Sequence, residues 1–318
     1  MNKKGFIFIL SSILLVIILL VVFLTFDQYT FSDATVADQR RVNFANDFVK
    51  GFNQDLERAI RIASFRSLIA LEEHVALSGS FLNNTEDYFS EIVYNGSING
   101  VPSKLMENSS ILVYLERINI IGDRFGLEVD VVVDDISLSQ SDPWLVDVVV
   151  AANVSVQDKS NLVSWHFSND YKSEVPIENL RDPLYAVFTQ NRFYNTVRPF
   201  PSNLSEGDSA TNMESLIGSS YYVESESAPS FIQRFSNNLT PSSAGIESVV
   251  NILLISDQNV PVYENRVKVD YIYFNNLESD SVCFEEISAE YYFIIPSNRV
   301  SLYEIDDLSS TTSCPIVG

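Results

Sequence analysis

Cysteine and histidine are almost missing from this chain, with two of each among 318 residues. Neither His74 nor His166 lies near a cysteine in sequence, so the familiar zinc spacings are absent. His74, in Leu71-Glu72-Glu73-His74-Val75, lacks the second histidine of a zinc-binding H-E-x-x-H helix. His166 stands between Ser164 and Ser168 on the polar side of a predicted strand. The 11 glycines form no phosphate-cradling run, and no G-x-S-x-G elbow occurs. Basic residues are also few, 20 against 42 acids, and the resulting net charge of −22 repels nucleic acid. The doublets Asp134-Asp135, Glu285-Glu286 and Asp306-Asp307 place neighbouring carboxylates on opposite faces of a strand, which is not the facing pair of a glycosidase. Loop carboxylates such as Asp134, Asp135 and Asp142 lack EF-hand spacing for calcium. No catalytic residue, cofactor or metal ligand is therefore expected, and the chain does not read as an enzyme.

What the chain does have is one long apolar run. Phe6 to Phe26 carries no charge and is interrupted only by Ser11, Ser12 and Thr25. About 20 helical residues span the hydrocarbon core of a bilayer, so this run reads as a transmembrane helix with the lipid bilayer as its partner. It is longer than a signal-peptide core and has no A-x-A-like site behind it. Lys3 and Lys4 precede the run and Asp27 and Asp33 follow it, which puts the N-terminus inside and the rest outside a cell membrane, as a single-pass protein. Beyond residue 26 the balance is −24, with 18 bases against 42 acids. Asn-x-Ser/Thr sequons start at Asn83, Asn95, Asn108, Asn153, Asn203 and Asn238, candidates for surface glycosylation or ordinary polar loop residues. Outside the cytoplasm Cys283 and Cys314 most simply form one disulfide, closing a loop of about 32 residues for roughly 3–4 kcal/mol; two buried thiols are the alternative.

The expected fold class is α+β. A short leader (1–5) and the transmembrane helix (6–26) continue into an amphipathic stalk helix (27–78). Thr35 and Asp38 have capping-box spacing, and Phe44, Phe48, Phe52, Leu56 and Ile60 recur every four residues. Residues 79–182 predict turns at Asn95-Gly96 and Asn99-Gly100, a helix from Ile111 to Arg124 and an antiparallel three-stranded meander. In its second strand Val146, Val148, Val150, Ala152, Val154 and Val156 share one face. Asp182-Pro183 marks a seam, and 183–318 reads as a second β-rich subdomain with a short helix near Met213–Ile217. Strands are predicted there at Val249–Ile255, Arg266–Phe274 and Ile287–Ile295.

Lys3-Lys4-Gly5-Phe6 running straight into an apolar helix resembles the class III leader of type IV prepilins. That resemblance implies cleavage after Gly5, with Phe6 as the mature N-terminus. It also implies a helix that packs with those of other pilin-like subunits, and a sheet wrapped on its outer half. Bacterial members usually carry Glu at the fifth mature position; here it is Leu10, closer to the looser archaeal pattern. Asp182-Pro183-Leu184-Tyr185, Ala228 to Phe235 and Gly245-Ile246-Glu247-Ser248 look like stretches of uncharacterised membrane-anchored archaeal surface proteins, a likeness that implies no activity. The functional expectation is a pilin-like, structural or adhesive protein at the cell surface. The alternative is an anchored ectodomain that binds or hydrolyses a cell-surface polymer.

Overall fold

The computed structural model describes residues 3–202, 204, 208–262, 266–277, 281–284, 292–306, 308 and 310–311. It begins with α1 (Lys3–Ser78), one unbroken helix of 76 residues and, at 1.5 Å per residue, roughly 114 Å of axis. Positions 35 and 38 fall inside this helix, so it does not start there. The expected transmembrane helix at 6–26, and with it the single-pass anchored arrangement, is corrected. Among the described residues, no helix is long and apolar enough to cross a membrane. On this part of α1, Leu10 and residues 13–24 carry large apolar side chains. Those side chains are exposed, Leu14 at 61% and Phe23 at 71%.

Further along α1 the buried positions are Ala45, Val49, Phe52, Leu56, Ile60, Ala63, Leu68, Leu71 and Val75. With the buried Ser64 and Ser67 between Ala63 and Leu71, these positions recur at three and four residues and keep to one face of a 3.6-residue turn, whereas a strict four-residue repeat drifts about 40° per step. Phe44 therefore sits off the stripe, 43% exposed, and rests on Phe125 with ring centroids 5.1 Å apart. Gly79, in the left-handed region at φ 64°, ends the helix by donating its N–H to Val75.

Next come α2 (Thr85–Asn95), whose first turn Asn84 caps, and the hairpin strands β1 (Ser97–Ile98) and β2 (Val101–Pro102). The Asn99-Gly100 turn that joins the strands has φ 51° and 75°, as a type I′ turn requires. α3 (Ile111–Arg124) leads into β3 (Leu127–Asp142), β4 (Leu145–Asp158) and β5 (Ser164–Pro176), a sheet in that order. Two and five residues connect these strands, too few for anything but antiparallel neighbours. On β4 the six predicted inward side chains are all 0–2% exposed.

The rest comprises α4 (Pro183–Phe188), α5 (Ser209–Ser219), β6 (Tyr222–Glu224), α6 (Phe231–Arg234), β7 (Ile246–Ser248), α7 (Ile252–Asp257), β8 (Arg266–Val267), α8 (Asp270–Phe274), β9 (Ser281–Phe284), β10 (Tyr292–Pro296) and β11 (Ser310–Thr311). β6 pairs with β7, and a four-stranded sheet runs β11-β9-β10-β8 with β8 parallel to β10. Two strand predictions here are corrected. Residues 252–257 are helical because the Asn251 side chain accepts from Leu253 N and Leu254 N, and 270–274 wind into a helix despite their aromatic, β-favouring composition. The second subdomain is thus a mixture of short helices and strands. Of the strand predicted at Ile287–Ile295, residues 292–295 belong to β10, and the remainder lies outside the described residues.

By contacts the chain forms two units. One comprises Met1–Asp55, Ile118–Val131 and Val154–Phe167; the other comprises Leu56–Arg117, Val132–Asn153 and Ser168–Gly318. The first holds the Phe44–Phe125 contact and the Arg41–Asp158 ion pair at 3.0 Å. The second holds a large apolar core around Leu184, Tyr185, Leu216, Val249, Tyr273 and Phe293.

Candidate functional site

The second unit carries a cleft of about 480 Å³. Phe65, Ile69, Glu72 and Glu73 enter it from α1, Leu105 from the turn after β2, and Glu178 to Arg181 from the segment after β5. Tyr194 and Thr196 close it, held opposite Arg181 by Val197 N donating to Leu180 O at 2.7 Å and Asp182 N to Asn195 O at 2.8 Å. The Arg181 guanidinium lies over the Tyr194 ring, 4.4 Å from its centroid, a cation–π contact that fixes both side chains.

Glu72 is the unusual group. It is only 7% exposed, and its Oε1 has no hydrogen-bond partner among the described residues. Burial pushes its carboxyl up to about 8; the Arg181 backbone N–H and guanidinium oppose that rise, and the Asp182 charge adds to it. At neutral pH it is mostly a neutral acid. Among the described residues, no histidine, cysteine or lysine lines the cleft.

Asp182, next in sequence to the cleft's Arg181, opens α4 as its cap, with Oδ1 accepting from Leu184 N at 2.8 Å. Its Oδ2 accepts from Tyr222 Oη at 2.8 Å and from Arg234 Nη1 at 2.6 Å. Arg234, wholly buried, also donates from Nη1 to Asp270 Oδ2 at 2.8 Å and from Nη2 to the Ile246 carbonyl. Ser248 adds its N–H and hydroxyl to Asp270, and Tyr185 Oη lies 3.0 Å from Ser248 Oγ. On the neighbouring β7 residue, Glu247 Oε1 accepts from Arg299 Nε at 3.1 Å and Tyr303 Oη at 3.0 Å, while Arg299 Nη2 donates to Tyr271 at 2.7 Å. Burial raises the Asp182 and Glu247 carboxyls, and the facing guanidiniums of Arg234 and Arg299 counter it. Burial likewise holds the Tyr222, Tyr185 and Tyr303 hydroxyls well above their usual range and pushes Tyr271 up to about 12. This network ties α4, α6, β7 and α8 together and is sealed from solvent. It is a scaffold behind the cleft wall.

The residues singled out in the sequence do not converge on this place. Gly5 and Phe6 lie within α1. Asn83, Asn95, Asn108, Asn153 and Asn238 are all exposed, and Asn203 lies outside the described residues. Asn153 is committed locally: its Nδ2 donates to Asp134 at 2.5 Å and its Oδ1 accepts from Ser168. Cys283 is buried on β9 and is not a free thiol; Cys314 lies outside the described residues, and no disulfide joins two described residues. His166 is exposed and His74 rests near the Tyr88 ring. Among the described residues, no three His, Cys, Asp or Glu are placed to hold a metal ion. Sequence reasoning missed Glu72, although its signal is there. It follows Leu68 by four and precedes Val75 by three, which puts a carboxylate on the buried stripe of α1.

No family model, no curated protein and no solved structure matches this chain.

Proposed function

We propose that this chain is a pilin-like structural or adhesive protein that works outside the cytoplasm and assembles with other copies through the N-terminal part of α1. The observation that carries this reading is the exposed apolar end of a very long helix. Phe8, Leu14, Leu19 and Phe23 are 61–76% exposed on α1, which continues without a break into a stretch with a buried face. An apolar surface of that extent demands cover, and helices of neighbouring subunits supply it in pilin-type assemblies. The acidic balance and the exposed sequons support a location outside the cytoplasm. In this reading the leader is cut after Gly5.

Cross-linking tests the assembly. A Leu14→Cys variant, oxidised in detergent-free buffer, is expected to give covalent dimers. Leu14→Asp together with Ile18→Asp is expected to leave single chains in sedimentation. A wild-type chain that sediments as a monomer without detergent, or a Leu14→Cys variant that never cross-links while the protein partitions into vesicles, overturns it. N-terminal sequencing that begins at Phe6 supports the leader reading, and a retained Lys3 rejects it.

A further inference from the structure

One carboxyl oxygen of the Glu72 cleft is buried without a partner among the described residues. Glu72 lines the cleft, and the oxygen is its Oε1, buried and unpartnered among the described residues. A buried carboxyl oxygen without a partner among the described residues is costly, and a polar group from outside the chain would relieve it. Glu73 and Glu178 line the same space, and the one cation among the described lining residues, Arg181, is already laid over Tyr194. Three carboxyl groups against one engaged guanidinium disfavour an anion. A bare metal ion is disfavoured too, since the described carboxylates do not converge as ligands. Phe65, Ile69, Leu105 and Leu180 give the remaining wall an apolar surface. We propose that this cleft binds a primary alkyl ammonium group, with its aliphatic stem against Phe65, Ile69 and Leu105 and its –NH3+ donating to Glu72 Oε1 beside Glu73 or Glu178. An ammonium brings three donors on a compact head, and a four- or five-carbon stem covers apolar wall as buried lysine stems do. The volume, about 480 Å³, lies in the usual range for small-ligand sites.

The proposal goes beyond the assembly reading and does not rest on it. It also has a proton signature. The Arg181 amide and guanidinium and the Asp182 charge act on the Glu72 carboxyl, and Glu73, Glu178 and Tyr194 are the other titratable groups of the described lining. An arriving ammonium favours the carboxylate, so Glu72, held up to about 8 in the empty cleft, releases its proton to solvent on binding. Affinity should therefore rise about tenfold between pH 7 and pH 9, while the amine, with a pKa of about 10, stays largely charged.

Calorimetry on the full chain, dispersed in a non-ionic detergent, tests this with 1,5-diaminopentane and with a lysine amide blocked at its α-amine. Saturable binding of either, tightening with pH, with heats in Tris and phosphate that differ by the released proton, is the expected result. Tighter binding of the lysine derivative points to a partner's side chain, and tighter binding of the diamine to a free amine. Glu72→Gln should lose both the pH dependence and the proton release; should that variant fail to fold, the buffer dependence of the wild-type heat decides. Two results overturn the proposal: no saturable heat from either amine, or binding of methyl glucoside that weakens above pH 8, which assigns the cleft to a polyol.

Discussion

At the scale of single residues, Glu72 costs the folded chain stability at neutral pH. Its folded carboxyl titrates near 8, against about 4.5 when solvated, so the folded state holds the proton more tightly than the unfolded one. Stability from this group is fully present below about pH 4.5 and is lost as pH rises toward 8. Over that window the difference amounts to about 4–5 kcal/mol at most. Glu72→Gln is expected to flatten this part of the pH–stability curve and to raise the melting temperature at pH 8, read by circular dichroism between pH 5 and 8. A second residue carries a purely steric constraint. A Cβ on Gly245 would stand 2.2 Å from the Ala228 carbonyl oxygen and 2.3 Å from that of Ser225. Both contacts are backbone, and Gly245 O already accepts from Ser225 N at 2.9 Å, so neither neighbour can retreat cheaply. Gly245→Ala should destabilise by about 3 kcal/mol or more in urea unfolding, whereas alanine at Gly51, where a Cβ meets nothing, should be neutral or stabilising.

At the scale of elements, the buried ions do what short helices cannot do alone. α4, α6 and α8 have six, four and five residues, too few to be stable by propensity. Arg234 joins all three regions through Asp182, Asp270 and the Ile246 carbonyl. Arg234→Met would leave two buried carboxyls facing each other without a cation, and a loss of about 3–5 kcal/mol is expected, larger than for the same change at exposed Arg117. Adding Asp182→Asn and Asp270→Asn to that variant should recover part of the loss, because the buried charge goes with its partner. Elements with one strong local period were legible in the sequence: α1 beyond residue 40, α3, and β4 with its six inward side chains. The short elements were not. Tyr271-Ile272-Tyr273-Phe274 reads as strand from its composition, yet Asp270, buried against Arg234 and Ser248, sets the start of a helical turn there. Likewise Ile252 to Ile255 look like a buried strand until Asn251 caps them. The network itself joins residues 182, 234, 247, 270 and 299, separations that no local pattern encodes.

At the scale of the whole molecule, charge and the exposed apolar helix end oppose each other in the proposed assembly. Each copy carries −22, or −24 once Lys3 and Lys4 leave with the leader, so bringing copies together costs repulsion that water and salt must screen. The Debye length falls from roughly 30 Å at 0.01 M to about 3 Å at 1 M salt, whereas burial of apolar side chains such as Leu14 and Ile18 is not weakened by salt. Assembly through α1 should therefore strengthen with ionic strength. An assembly held by contacts between acidic faces and the 20 bases should instead weaken. Sedimentation of the wild-type chain across a salt series separates the two. Growth of the assembled fraction with sodium chloride, abolished by Leu14→Asp with Ile18→Asp, is the expected outcome, and dissociation by salt would move the contact from the apolar helix to the charged surface.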